Sequence, residues 1–432
     1  MAELSELGRR LIERPPVPVT PTAELRRRWR RRTIRRSGTA AAVVVAAIAA
    51  TIATVVTQGH ATTRVQVVSP PSSVSPAPAK TGPANPTPAS SALDLSWTDA
   101  QDGWVLSSHS CAQGLCPGLE HTTDGGAHWR SLPDPPAEVQ NTSTNCFTAT
   151  GDCVSEVVFA TPTVGYLYGP ALFVTTDGGL TWHRQTGPMV QTMAIDGNQV
   201  LRVAYTASGC PGPCQFTLQA APVGSGTWHT LTNPTSPWGI NSHIFSSGSN
   251  IILAIYGNLA QGAQPAIIYR SADSGKNWEK LSDPCAAAGH LYVLTRLAVT
   301  TGGVLDGLCN SPTPKTTLFI TSSDDGSHWD TPQPIPGTAP YDLIAAASPT
   351  TIAVATPGVG GSGPVTANLL VSTDSGRRWT TAASTHYELR PNTLLPAWLG
   401  FETPQVGRWV SGPNTIWTTS NSGHTWTRST LP

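Results

Sequence analysis

The sequence has 432 residues, 12% of them charged, and a formal net charge of zero. Charge this sparse excludes a body built to grip nucleic acid, and the length admits one large domain or a few small ones. The neutrality is a sum of opposites: residues 1–36 hold eleven Arg against four Glu, a surplus of seven positive charges, and the remainder carries seven net negative ones.

Residues 1–37 form a basic head that ends in RRRWRRRTIRR, Arg26 to Arg36. Next comes TAAAVVVAAIAATIATVVT, Thr39 to Thr57, and no Asp, Glu, Lys or Arg stands between Arg36 and Arg64. These nineteen residues make about 28 Å of helix at ~1.5 Å each, enough to cross a hydrocarbon core. Residues 38–57 are therefore predicted to be a single transmembrane helix. Arginine retained inside places the head in the cytoplasm and everything after residue 57 outside, with Trp29 as an interface anchor. A cleavable signal is the rival, but its apolar region runs only about 7–15 residues. The head has neither Cys nor His, so it is no zinc-binding anti-sigma domain. Its shortness also argues against a sensor that signals through it.

Residues 58–92 place Pro70, Pro71, Pro76, Pro78, Pro83, Pro86 and Pro88 among Ser, Thr and Ala. Such a composition buries no core and favours extended polyproline II, so it is expected to be a stalk.

The remaining segment, 93–432, repeats. TTDGGAHW begins at Thr122, TTDGGLTW at Thr175, SADSGKNW at Ser271, SSDDGSHW at Ser322, STDSGRRW at Ser372 and TSNSGHTW at Thr419. A seventh, decayed copy, APVGSGTW, ends at Trp228, with Val223 where the others have Asp124, Asp177, Asp273, Asp324, Asp374 or Asn421. The closing residues Trp129, Trp182, Trp228, Trp278, Trp329, Trp379 and Trp426 are spaced by 53, 46, 50, 51, 50 and 47 positions. A period of this size marks a radial or stacked repeat. Before each box stand three short β-branched or aromatic runs, such as SEVVFAT, GYLYG and ALFVTT in the second repeat. A fourth run starts at the Trp. Seven repeats of four strands predict an all-β, seven-bladed β-propeller. A solenoid fits less well, because the ends lack a polar cap.

In this box the Asp sits at a hairpin corner, where its carboxylate accepts N–H bonds from residues just ahead, as in an Asx-turn. The Gly two places on supplies a backbone angle that other residues avoid. The Trp wedges between neighbouring blades, worth about 2–3 kcal/mol by burial. Asn421 keeps an acceptor but loses the charge that a catalyst or a strong metal ligand needs, so the boxes are expected to be structural.

These residues resemble the Asp-box, or BNR, repeat throughout 93–432. The motif is similar to those of bacterial sialidases, sortilin-type receptors, xyloglucan-cleaving glycosidases and photosystem II assembly-factor propellers. Those families share the turn and differ in activity, so the resemblance implies architecture and little more.

Cys111, Cys116, Cys146, Cys153, Cys210, Cys214, Cys285 and Cys309 all follow the apolar segment. An even count outside the cytoplasm predicts disulfides. On the order of a hundred connectivities are possible; local pairing, 111–116, 146–153, 210–214 and 285–309, is the simplest. Neither C-x-x-C spacing nor paired histidines support zinc, and no other metal or cofactor is implied. Along a four-stranded blade the first and third turns open on one face, and the second turns and blade-to-blade connections on the other. The boxes are third turns. Cys111, Cys116, Cys210, Cys214 and Cys309 are expected in second turns and Cys146, Cys153 and Cys285 in connections, all opposite the boxes. The insertions GNLAQGAQP (257–265) and TPGVGGSGPVTA (356–367) also fall in second turns. Long, stapled loops on one rigid face predict the binding face there.

Catalysis finds little support. There is no Gly-x-Ser-x-Gly and no phosphate-binding Gly loop. The sialidase resemblance implies three arginines, a Tyr–Glu nucleophile pair, an Asp acid/base and an Arg-Ile-Pro motif. No Arg-Ile-Pro occurs, and Arg202, Arg270, Arg296, Arg390 and Arg408 stand in no matching context. A xyloglucanase-type hydrolase needs two facing carboxylates, and none can be paired from sequence. HYELRP (386–391) sets Tyr387 beside Glu388 and near Arg390, and is expected in the last blade-to-blade connection on the favoured face. The sequence thus predicts a membrane-anchored, extracytoplasmic propeller that serves as a binding or assembly scaffold for a protein or an envelope glycan, without catalysis, cofactor or nucleic acid. The alternative is a sialidase-like glycosidase working from the same face.

Overall fold

The computed structural model describes residues 91–431, apart from 113, 140–150, 206–213, 237–240, 258–263, 301, 313–314, 338–342, 357–362, 390–397 and 413. The head, the apolar segment 38–57 and the stalk up to residue 90 lie outside the described residues. Among those described, no helix is long and apolar enough to cross a membrane.

Seven antiparallel sheets follow one another along the chain, each built on four consecutive strands. Blade 1 has β1 (Ser91–Trp97), β2 (Gly103–Cys111), β3 (Gly114–Thr122) and β4 (Arg130–Ser131). A short parallel pair, β5 (Glu138–Val139) and β6 (Cys153–Val154), leads on. Blade 2 has β7 (Glu156–Phe159), β8 (Gly165–Tyr168), β9 (Leu172–Thr175) and β10 (His183–Gln185). Blade 3 has β11 (Met189–Asp196), β12 (Gln199–Tyr205), β13 (Cys214–Pro222) and β14 (His229–Thr232), with β15 (Thr235–Ser236) also on β13. Blade 4 has β16 (Ser242–Ser247), β17 (Asn250–Ile255), β18 (Ile267–Ser271) and β19 (Glu279–Lys280). Blade 5 has β20 (Val293–Val299), β21 (Leu305–Pro312), β22 (Lys315–Ser322) and β23 (Gln333–Pro334). Blade 6 has β24 (Leu343–Ala346), β25 (Ile352–Ala355), β26 (Gly363–Ser372) and β27 (Thr380–Leu389). Blade 7 has β28 (Leu399–Phe401), β29 (Gly407–Val410), β30 (Thr415–Thr419) and β31 (Thr427–Thr430). The ring is a seven-bladed propeller. β1 begins inside the segment expected to be stalk, because Ser91 and Ala92 still pair with Ser108 and Ser107.

Both faces of each blade meet a neighbour. The second strands β8, β25 and β29 are buried at every position, which explains why GYLY and IAVA lack polar alternation, whereas the outer β4, β19 and β31 are exposed throughout. The buried apolar side chains fall into clusters, each lying between two adjacent blades. Leu119 of blade 1 meets Phe159 and Trp182 of blade 2, for example, and Ile416 of blade 7 meets Leu95 of blade 1. Every closing Trp joins the cluster that its blade shares with the preceding one.

The box turn allows that packing. In blade 1 the Thr122 hydroxyl accepts the Gly126 N–H (3.0 Å) and donates to Asp124 Oδ1 (2.8 Å), which also accepts the His128 N–H (2.9 Å). The same bonds recur on Thr175–Asp177, Ser271–Asp273, Ser322–Asp324, Ser372–Asp374 and Thr419–Asn421. They hold two successive residues at positive φ, as at Ser375 (60°) and Gly376 (80°). A Cβ on the second of these would run into the preceding blade: Phe319 at Gly376, Leu119 at Gly179 (2.7 Å), Leu231 at Gly275 (2.8 Å) and Leu281 at Gly326 (2.6 Å). The glycine is a socket, and the Trp closes it, as Trp379 does edge-on to Phe319 at 5.6 Å. Blade 3 lacks both the hydroxyl and the acid. There the Tyr166 hydroxyl of blade 2 accepts the Gly224 N–H at 2.7 Å.

Blades 1 and 7 share no strand. Their seam holds a buried guanidinium, Arg408 on β29, whose Nη2 donates to the Ala100 (2.9 Å) and Gly125 (3.3 Å) carbonyls of blade 1. Arg408 lies 3.3 Å from the centre of the Trp97 ring, and its Nη1 is 2.8 Å from Glu402 without hydrogen-bond alignment. Burial pushes the Glu402 carboxyl up, and the Arg408 charge pulls it part of the way back. A second buried carboxylate, Asp306 on β21, has no donor in hydrogen-bond geometry at either oxygen. Burial pushes it up to about 7, eased somewhat by the Thr321 hydroxyl.

Two outcomes follow from these contacts. Gly376→Ala combines left-handed backbone with ring overlap and is expected to lower stability by more than about 2 kcal/mol in denaturant titrations. Gly197, at φ 56° with open space around it, is the control: Gly197→Ala should lose only about 1 kcal/mol. Asp306 takes up a proton in the folded chain at a pH where the unfolded chain has released it. Its stabilisation is complete below the ordinary carboxylate range and is lost as pH rises through about 7. Unfolding measured at pH 5 and pH 8 should show a smaller difference in Asp306→Asn than in the wild type, by on the order of a few kcal/mol; an equal difference contradicts the assignment.

Candidate functional site

The innermost strands β1, β7, β11, β16, β20, β24 and β28 surround the ring axis and enclose a channel of about 660 Å³, the size of a site for a small molecule or short peptide. First strands run from the connection face toward the box face. Glu156, His243, Leu343 and Leu399 occupy the first or second position of theirs, so the cavity opens toward the connections and second turns.

Its wall is sorted by charge. Asp94 and Glu156 come from blades 1 and 2. Burial raises the Asp94 carboxyl well above its ordinary value, and the Glu156 charge pushes it further. Burial raises Glu156 too, opposed by the Tyr168 hydroxyl, which donates to Oε2 at 2.7 Å. Burial and both carboxylates hold the Tyr168 phenol well above its usual range. Across the ring stand His243 and Arg296, from blades 4 and 5. Channel water reaches His243, yet burial and the Arg296 charge keep its imidazole below the ordinary range. Arg296 Nη1 donates to the Thr295 carbonyl (2.7 Å), and the guanidinium lies 5.7 Å from the Tyr256 ring centre. Blades 6 and 7 add an apolar wall of Leu343, Ile344, Trp398 and Leu399. Asp94 also joins two blades, since its Oδ2 accepts the Val157 N–H at 2.8 Å.

The box carboxylates stand on the opposite face and are engaged by their own turns. Their second oxygens meet His128 Nδ1 (2.7 Å), Thr181 Oγ1, Asn277 Nδ2 and His328 Nδ1 (2.6 Å each). These bonds hold Asp124, Asp177, Asp273 and Asp324 at about 2. Disulfides join Cys111 to Cys116 and Cys285 to Cys309. Cys309 lies within β21 opposite Leu294 and Leu318 rather than in the turn, because that hairpin continues to Pro312 and Lys315. Cys153 is disulfide-bonded as well; Cys146, Cys210 and the Cys214 side chain lie outside the described residues.

Tyr387 and Glu388 are not in a connection. β26 begins at Gly363, within the insertion expected to be a turn, and draws the outer strand β27 out to Leu389, pairing Tyr387 with Val365 and Glu388 with Pro364. The Tyr387 ring packs against Gly412 and the blade 6–7 cluster, with its hydroxyl buried and without a partner. The Glu388 side chain and Arg390 lie outside the described residues. The sequence signal for the channel was a lone charge within the first run of a repeat: Asp94 in SALDLSW, Glu156 in SEVVF. Among the described residues no group of three or more His, Cys, Asp or Glu is placed to hold a metal.

No protein-family model matches the sequence, and no curated protein matches it either. Solved structures do match. One, YCF48 bound to D1 peptide, is 17% identical with a TM-score of 0.50, covering 78% of this chain and 95% of that one. The GH93 α-L-arabinofuranosidase of Fusarium graminearum, complexed with arabinobiose, is 13% identical (TM-score 0.37; 79% and 93% covered). A Hadza microbial sialidase is also 13% identical (TM-score 0.38; 79% and 66% covered). Fold and comparisons together define a class, the seven-bladed β-propeller. Identities this low extend to architecture alone.

The Tyr168 bond lowers Glu156, so Tyr168→Phe should move the Glu156 titration upward in carboxyl carbon NMR. An unchanged or lower midpoint would show that the bond does not operate in solution.

Proposed function

We propose that the chain is a single-pass membrane protein, anchored through residues 38–57 with its basic head in the cytoplasm, whose propeller is held outside as a non-catalytic scaffold for a protein segment. The observation that carries this reading is the charge-sorted channel of about 660 Å³ opening on the face opposite the boxes. The 111–116 and 285–309 disulfides stiffen loops on that same face, and a pre-organised wall binds with less ordering loss. The peptide-bound YCF48 propeller supports a protein segment over a glycan. Anchoring rests on the uncharged stretch Thr39–Thr57 and the Arg run before it.

A second reading, sialidase-like hydrolysis, draws on the Tyr168–Glu156 bond beside Asp94, a Tyr–Glu contact that replaces the one sought at Tyr387. Two features weigh against it. The Tyr168 phenol is held protonated, the reverse of an activated nucleophile. Arg296 is the one arginine lining the channel among the described residues.

A photo-crosslinking residue at Asn241, exposed at the channel mouth, and another at Leu180, 50% exposed on the box face, separate the readings in the full-length protein in cells. Asn241 is expected to give a discrete protein adduct and Leu180 none. Turnover of a fluorogenic glycoside that disappears in Glu156→Gln would establish the hydrolase and end the scaffold reading.

A further inference from the structure

The channel wall specifies the partner more closely, on the premise that the scaffold reading holds. Two carboxylates in one desolvated wall do not both ionise without a counter-charge. Asp94 on β1 and Glu156 on β7 are in that position, with the Tyr168 hydroxyl of β8 on Glu156. From β16 and β20 the facing ionisable groups are His243 and Arg296, while β11, β24 and β28 present Gln191, Thr192, Leu343 and Leu399, none of them titratable. A simple polycation satisfies the acidic wall but is repelled from the Arg296 side. A segment that carries both signs satisfies both.

We propose that the channel mouth binds a peptide segment bearing a lysine or arginine side chain and, a few residues away, an aspartate or glutamate, with the basic group against Asp94 and Glu156 and the acidic group toward His243 and Arg296. Leu343, Ile344 and Leu399 take the apolar residue between them. The free acidic pair retains a proton above the ordinary carboxylate range, and an incoming cation displaces it. Affinity therefore rises with pH, up to about tenfold per unit, and levels off once the free pair has ionised.

The test uses the full-length protein and acetyl-Lys-Ala-Leu-Glu-amide, with variants carrying norleucine for Lys, Gln for Glu and Lys for Glu. Isothermal titration in buffers of different ionisation enthalpy reads both affinity and proton release. Norleucine should weaken binding at least tenfold, and Lys for Glu should weaken it more than Gln does. Double-mutant cycles assign the contacts: Glu156→Gln should erase the lysine preference and keep the glutamate preference, and Arg296→Gln should do the reverse. Asp94→Asn is the second acidic-wall variant, since its amide oxygen still accepts the Val157 N–H and removes only the charge. Norleucine binding as tightly as lysine, or a lysine preference that survives both acidic-wall variants, overturns the proposal. If none of the peptides binds while Asn241 still crosslinks a protein, this inference falls and the scaffold reading stands. If neither occurs, both fall.

Discussion

At Gly179, Gly275, Gly326 and Gly376 the backbone turns through positive φ with a side chain of the preceding blade lying where a Cβ would be. The turn cannot relax without parting two sheets, so a local conformation and a long-range contact stand or fall together. The Ser/Thr and Asp side chains around each glycine make bonds that are individually weak, because the acids are exposed. Their effect is to fix the angle at which the socket faces its neighbour. Blade 3 shows that the acceptor is what matters and not its source, since Tyr166 reaches across from another sheet to supply one.

The channel is a by-product of the same closure. Seven first strands end with one edge unpaired, and their N–H groups need acceptors. Asp94 answers the Val157 N–H and Ser96 Oγ answers the Phe159 N–H, both at 2.8 Å. Some polarity on the axis is therefore obligatory in any such ring. Glu156, His243 and Arg296 go beyond it. Charge in excess of what the backbone requires is what distinguishes a recognition surface from a plugged centre.

Much of the architecture was legible because each box is local: eight residues, one turn, one strand start. The copies could be counted, and even the decayed one at Trp228 revealed itself by spacing. The recognition surface was not legible in the same way. Asp94, Glu156, His243 and Arg296 meet only because the ring closes, and nothing within a few residues of any of them announces the others. HYELRP misled for a related reason. A polar cluster after a short outer strand looks like a loop, yet β27 runs ten residues where β4 and β19 run two, because its partner β26 is itself extended. Cys309 was misplaced by the same kind of lengthening in β21.

With every blade made of four successive strands and none shared between the first and the last, the propeller is topologically a circle of whole units cut at one point. Six joints are crossed by the chain, and the seventh is held by side chains alone, Arg408 foremost. Any of the other six would serve equally well as the cut. A circularly permuted chain would contain the same seven complete sheets, and only the identity of the uncrossed joint would differ.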